Sequence, residues 1–94
     1  MITTSRTMRD NIQPAIIAMY RDTRLWLDWA GLGSFRPSND DMNIIVDYCA
    51  ILHRKNPKTF LSKDVMRLFL RIASGRLTIA IIQDDMNHMG MLYG

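Results

Sequence analysis

Between Met42 and Leu52 only Asn43 and Asp47 interrupt an apolar run. This run limits the fold more than any other feature of the chain. It is well short of the roughly 18 residues a membrane-spanning helix needs. Wound as a helix, Met42, Ile44, Ile45, Val46, Tyr48, Cys49, Ile51 and Leu52 cover most of the circumference. Asn43, Asp47 and Arg54 leave only a narrow polar stripe. A helix apolar nearly all round has to be covered on several sides, so residues 40–55 are read as the central helix of a bundle. Its ends agree with that reading. Ser38 or Asn39 can cap the start, and Asp40 and Asp41 suit the positive end of the helix dipole. His53, Arg54 and Lys55 suit the negative end, and Asn56-Pro57 stops the helix.

Three further helices surround it. The first spans about residues 7–30. Pro14 either lies in its first turn or follows a short piece and a kink. Ile16, Met19, Tyr20, Thr23, Trp26, Leu27 and Ala30 share one face at a period of 3.6, with Arg21, Arg24 and Asp28 opposite. Ala18, Leu25 and Trp29 form a second, smaller strip interrupted by Asp22. Gly31 and Gly33 suit a left-handed cap after this helix.

The third helix opens at Ser62 and runs to Ser74, with Gly75 as its stop. Val65, Met66, Leu68, Phe69 and Ile72 face inward, and Lys63, Arg67, Arg71 and Ser74 face out. The fourth spans about residues 78–89. Its stripe Ile79, Ile82, Met86, Met89 alternates three and four residues, the spacing of a helix–helix seam. Because Thr78, Ile79, Ile81 and Ile82 are β-branched, a strand over residues 77–82 competes with this helix. The fold expected is all-α, a compact bundle of about four helices in a single domain over residues 1–94.

The chain has 94 residues and is 48% apolar, a composition that supports one modest core. All nine acids are Asp, and nine Arg stand against three Lys. Without Glu, a strong helix former, the helices must lean on packing. Such skewed usage accompanies fast-diverging genes, and a mobile element is the source it suggests. Cys49 is the only cysteine, so no intrachain disulfide forms. The N-terminal residues lack the apolar core of a secretory signal. A cytoplasmic protein without a membrane span is the expectation.

Chemical signatures are weak. His88 follows Asp84 by four residues and Asp85 by three, which on a helix permits a surface pair. Cys49 and His53 form the other four-residue pair, on the buried helix. A metal site wants three or four ligands, so neither pair makes one. Ser34 sits in Gly33-Ser34-Phe35, unlike a nucleophile elbow. Gly31-x-Gly33 follows a helix rather than a strand and is too short for a dinucleotide loop. Asp40-Asp41 and Asp84-Asp85 are adjacent pairs, and neighbours on a helix diverge by about 100°. No catalytic residue, cofactor, metal or small-molecule substrate is assigned.

Two binding surfaces remain. Leu25, Trp29, Ile79, Ile82, Met86 and Met89, with the apolar end Met91, Leu92 and Tyr93, supply a protein interface rich in Trp and Met. Its simplest partner is a second copy in a two-fold dimer. Lys63, Arg67, Arg71 and Arg76 form a basic row of the kind that contacts phosphates. That row is the alternative, a small helical DNA-binding regulator. The long connection at residues 56–61 is unlike a helix-turn-helix turn, and Asp64 weakens the row. The net charge of +3 is modest for a nucleic-acid binder. The favoured expectation is a non-enzymatic interaction or regulatory module that self-associates.

Overall fold

The computed structural model describes residues 2–58 and 62–88, with side chains from residue 11 onward. Four helices occupy the described residues, and no strand is found among them. They are α1 (Ile2–Trp29), α2 (Asn39–Lys55), α3 (Ser62–Ala73) and α4 (Ile79–His88). The fold is a small all-α bundle. α1 packs on both α2 and α3, and α4 packs on α2. α2 therefore lies between α1 and α4, as its apolar circumference requires. Residues 77–82 are not a strand. Leu77 is buried in the turn after α3, and helix α4 begins two residues later.

The local reason is at Thr78. Its hydroxyl accepts from the Ile81 amide at 3.2 Å, and its carbonyl accepts from the Ile82 amide at 3.1 Å. A threonine N-cap thus starts a helix where β-branched residues alone favour a strand. Ser38 caps α2 in the same way, its Oγ accepting from the Asp41 amide at 3.1 Å. The C-termini of α1 and α3 use glycine. Gly31 has φ +76° and Gly75 has φ +79°, a backbone region open to glycine without penalty. After α1, the Gly31 amide donates to the Asp28 carbonyl and the Leu32 amide to the Leu27 carbonyl. After α3, Gly75 donates to Ile72 and Arg76 to Arg71. Both are Schellman caps that occupy the last carbonyls of their helices.

Helix α1 starts earlier than the pattern predicts and passes through Pro14 without a break in helical assignment. Ile16, Thr23 and Leu27 form its buried line. Of these, Ile16 joins Ile45, Val46, Tyr48 and Cys49 of α2, Val65, Leu68 and Phe69 of α3, and Ile82 and Met86 of α4 in the core cluster. Thr23 is the one polar side chain fully buried among the described residues. Its hydroxyl donates to the Met19 carbonyl at 2.7 Å, which removes the cost of burying it. The Tyr20 ring joins α1 to α3, its centroid 5.0 Å from that of Phe69.

Candidate interaction surface

On the outer side of helix α1 three large apolar side chains are left largely exposed. Leu25 is 75% exposed, Trp26 55% and Trp29 88%. Trp26 does not join the buried face. On the helix it lies about 80° from Ile16 at 100° per residue, at the margin of the apolar stripe. The core takes Thr23 and Leu27, nearer the stripe's centre, and Trp26 turns out to Trp29. The two indoles meet edge to face, with centroids 6.4 Å apart and planes at 85°. That geometry suits the aromatic quadrupoles and restrains both rings. Ala30, also placed on the inner face by its spacing, is exposed just beyond the helix end.

A lock on the loop below holds this end of α1 in place. The Arg24 guanidinium is half-buried and does not point to open solvent as its position opposite the apolar stripe suggests. It donates to the Phe35 carbonyl at 2.7 Å and to the Gly33 carbonyl at 2.6 Å. Arg36 donates to the same two carbonyls, and the Tyr20 hydroxyl adds a third bond to Phe35. Asp28 lies 3.6 Å from Arg24. The loop from Gly31 to Pro37 is thereby fastened to the end of α1 that carries the tryptophans.

The α4 stripe has a different fate from the partner seam its spacing suggests. Ile82 is fully buried and Met86 nearly so, both within this chain's own core, and Ile79 is partly buried against it. α2 is the helix that fills this seam. Ile81, on the other side of α4, is 50% exposed. Met89, Met91, Leu92 and Tyr93 lie outside the described residues. Of the proposed interface residues, Leu25 and Trp29 are thus adjacent and exposed, while Ile79, Ile82 and Met86 sit in or against the core.

Lys63, Arg67 and Arg71 are exposed on the outer face of α3, and Arg76 is exposed in the turn that follows. Residues 59–61 of the connection before α3 lie outside the described residues. The positive charge of Arg71 is felt at Tyr48, where it opposes the rise in the phenol's pKa.

Among the described residues the titratable groups gather no reactive cluster. His88 Nδ1 lies 2.8 Å from the Asp84 carbonyl oxygen and 3.6 Å from its carboxylate, on an exposed turn. The carbonyl contact and then the carboxylate raise the imidazole's pKa above its usual value. Cys49 is buried, and desolvation pushes its thiol up to about 12. That is the reverse of an activated nucleophile. His53 is half-buried one turn away, at the edge of an apolar cavity of about 530 Å3 between α1, α2 and α3. Among the described residues no three His, Cys, Asp or Glu side chains gather as a metal site. No helix among them is long and apolar enough to cross a membrane.

Compared with protein-family models, with curated proteins and with solved structures, the chain finds no match.

Proposed function

We propose that this chain is a small non-enzymatic protein-interaction module, regulatory in role and acting from the outer face of α1. One observation carries the reading: Trp29 is 88% exposed beside Trp26 and Leu25, while the core two residues away is closed to solvent. Full burial of a large apolar side chain is worth about 1.5–3 kcal/mol, and these three leave most of that unrealised. Trp is the residue type most often found as an energetic anchor at protein interfaces. The bracing by Arg24 lowers the ordering cost of binding there. A buried lone cysteine fits a reducing compartment, and we place the protein in the cytoplasm.

The test is affinity capture of the tagged protein from its source cells, comparing the parent with a Leu25→Asp, Trp29→Ala double variant. Both positions are exposed, so the variant should melt with the parent. A protein retained by the parent and lost from the variant supports the reading. Identical capture by both would remove the α1 surface from consideration.

A second reading rests on the exposed row of Lys63, Arg67 and Arg71 on α3, continued by Arg76. It makes the chain a DNA-binding regulator. Residues four apart on a helix rise about 6 Å, so the row can follow a phosphate backbone. Changing both Arg67 and Arg71 to Ala should lower affinity for a random duplex and flatten its salt dependence. Absence of duplex binding by the parent at low salt ends this reading.

A further inference from the structure

The outer face of α1 carries two features that fit one another. One is the projecting Trp29, restrained by Trp26 and flanked by Leu25. The other is a shallow depression one and a half heptads nearer the N-terminus, lined by Gln13, Pro14, Ile17, Ala18 and Arg21, with a volume of about 520 Å3. Ala18 and Pro14 are the small residues of its lining. Ala18 and Trp29 lie 11 positions apart in the sequence, about 16 Å along the axis and close to the same angle around it. A knob cannot reach a hole on its own straight helix. It can reach the same hole on a second copy.

We infer that the α1 surface is covered by a second copy of this chain, docked antiparallel about a two-fold axis near Asp22 and Leu25. This rests on the proposed interaction surface and names its occupant. The two-fold places Trp29 of each protomer in the depression of the other, over the partner's Ala18 and against the partner's Arg21. Large against small satisfies packing, and a guanidinium beside an indole adds a cation–π contact. One pair of charges suits the same operation and offsets the approach of Asp22 to the partner's Asp22 near the axis. Arg21 and Asp28 are one heptad apart on the same flank of the seam, and both are exposed. In an antiparallel pair that flank meets itself reversed, so Arg21 of one copy approaches the partner's Asp28, twice by symmetry. A parallel two-fold would instead turn this flank toward the partner's opposite flank, away from the partner's Asp28.

The size of the patch is adequate for such a contact. Aromatic side chains bury about 150–250 Å2 each, so two tryptophans and a leucine at these exposures offer about 400–500 Å2 per protomer. With the facing depressions, the contact removes on the order of 1,200 Å2 in total, the lower end for a specific interface. A reversible, concentration-dependent dimer is the form this predicts.

The experiment is sedimentation velocity of the full chain across a wide concentration series, with four variants checked for unchanged helicity and melting. The parent should pass from monomer to dimer. Trp29→Ala should raise the dissociation constant about tenfold or more, as loss of an anchor does. Ala18→Trp fills the depression at an exposed site and should weaken the dimer comparably. Arg21→Asp should weaken it several-fold, and adding Asp28→Arg to that variant should restore it.

A dimer indifferent to Trp29→Ala and Ala18→Trp would overturn the pairing, as would a charge reversal that the second change fails to rescue. A parent monomeric throughout overturns it too, but leaves the α1 surface to be judged by the capture experiment, which needs no self-association. Monomeric protein that binds anionic phosphatidylserine vesicles through Trp29 would assign the patch to a lipid surface instead.

Discussion

The Tyr48 hydroxyl donates to Asp85 Oδ2 at 2.9 Å, joining α2 to α4 across 37 residues of sequence. It is the polar counterpart of the Ile82 and Met86 packing on the same pair of helices. Burial first, then this bond and the charge of Asp85, push the phenol up to about 12. Tyr48→Phe should cost about 1 kcal/mol, the net worth of a hydrogen bond partly open to water, and denaturant unfolding would read it. A change too small to measure would mean that water replaces the carboxylate at no cost.

The same shift fixes a pH dependence. The folded state holds the phenolic proton more tightly than the unfolded chain, whose value is near 10. The contribution is therefore complete below about pH 10 and is lost as pH rises toward 12. Cys49 behaves alike, since its thiol is pushed from 9 up to about 12. Stability should hold through neutral pH and fall from about pH 9 upward. Tyr48→Phe should flatten the upper part of that fall, and an unaltered alkaline limb would contradict the assignment.

Cys49 gives a separate readout. It is fully buried, and its thiolate is disfavoured by desolvation. Thiol reagents act on the thiolate, so labelling at neutral pH should wait for unfolding and accelerate with denaturant. Rapid stoichiometric labelling of the native protein would show that α2 is more open than its packing implies.

Much of this fold was legible in the sequence because the signals were local. The near-continuous apolar circumference of α2, the glycines ending α1 and α3, and the α3 amphipathic pattern each follow from residues within a few turns. The rest depends on distant neighbours. The spacing of Ile79, Ile82 and Met86 describes a seam but not which helix fills it, and α2 of the same chain does so. Trp26 lay at the edge of the apolar arc, where the core's choice of Thr23 and Leu27 decided its direction. The helical spacing turns Arg24 toward solvent, yet the loop carbonyls of Gly33 and Phe35 recruit it. A turn that exposes several carbonyls within reach of a preceding arginine is the signal that could have found it.

That arginine makes a sharp prediction. Arg24→Met keeps much of the side-chain length and removes the two short bonds to the loop. It should cost about 1–2 kcal/mol and speed amide exchange in the loop that follows α1. Arg24→Lys should recover only part of the loss, because an ammonium lacks the fork that spans two carbonyls. Full rescue by Lys would show that charge rather than geometry holds the loop.

The adjacent pair Ile81 and Ile82 separates core from surface on α4 in one experiment. Ile82 is 0% exposed and Ile81 is 50% exposed, although the two residues are chemically identical. Ile82→Ala should cost about 2–5 kcal/mol, the loss of a buried side chain plus the cavity it leaves. Ile81→Ala should cost well under half as much, because water already reaches the side chain. Met86→Asp belongs with Ile82: it puts a carboxylate into the core and should unfold the monomer, so any loss of association in that variant reports folding. Trp29→Ala should leave the melting temperature of the dilute monomer almost unchanged. If thermal melts instead ranked Ile81 above Ile82, the α4 stripe would face outward, and the packing of α4 on α2 would have to be redrawn.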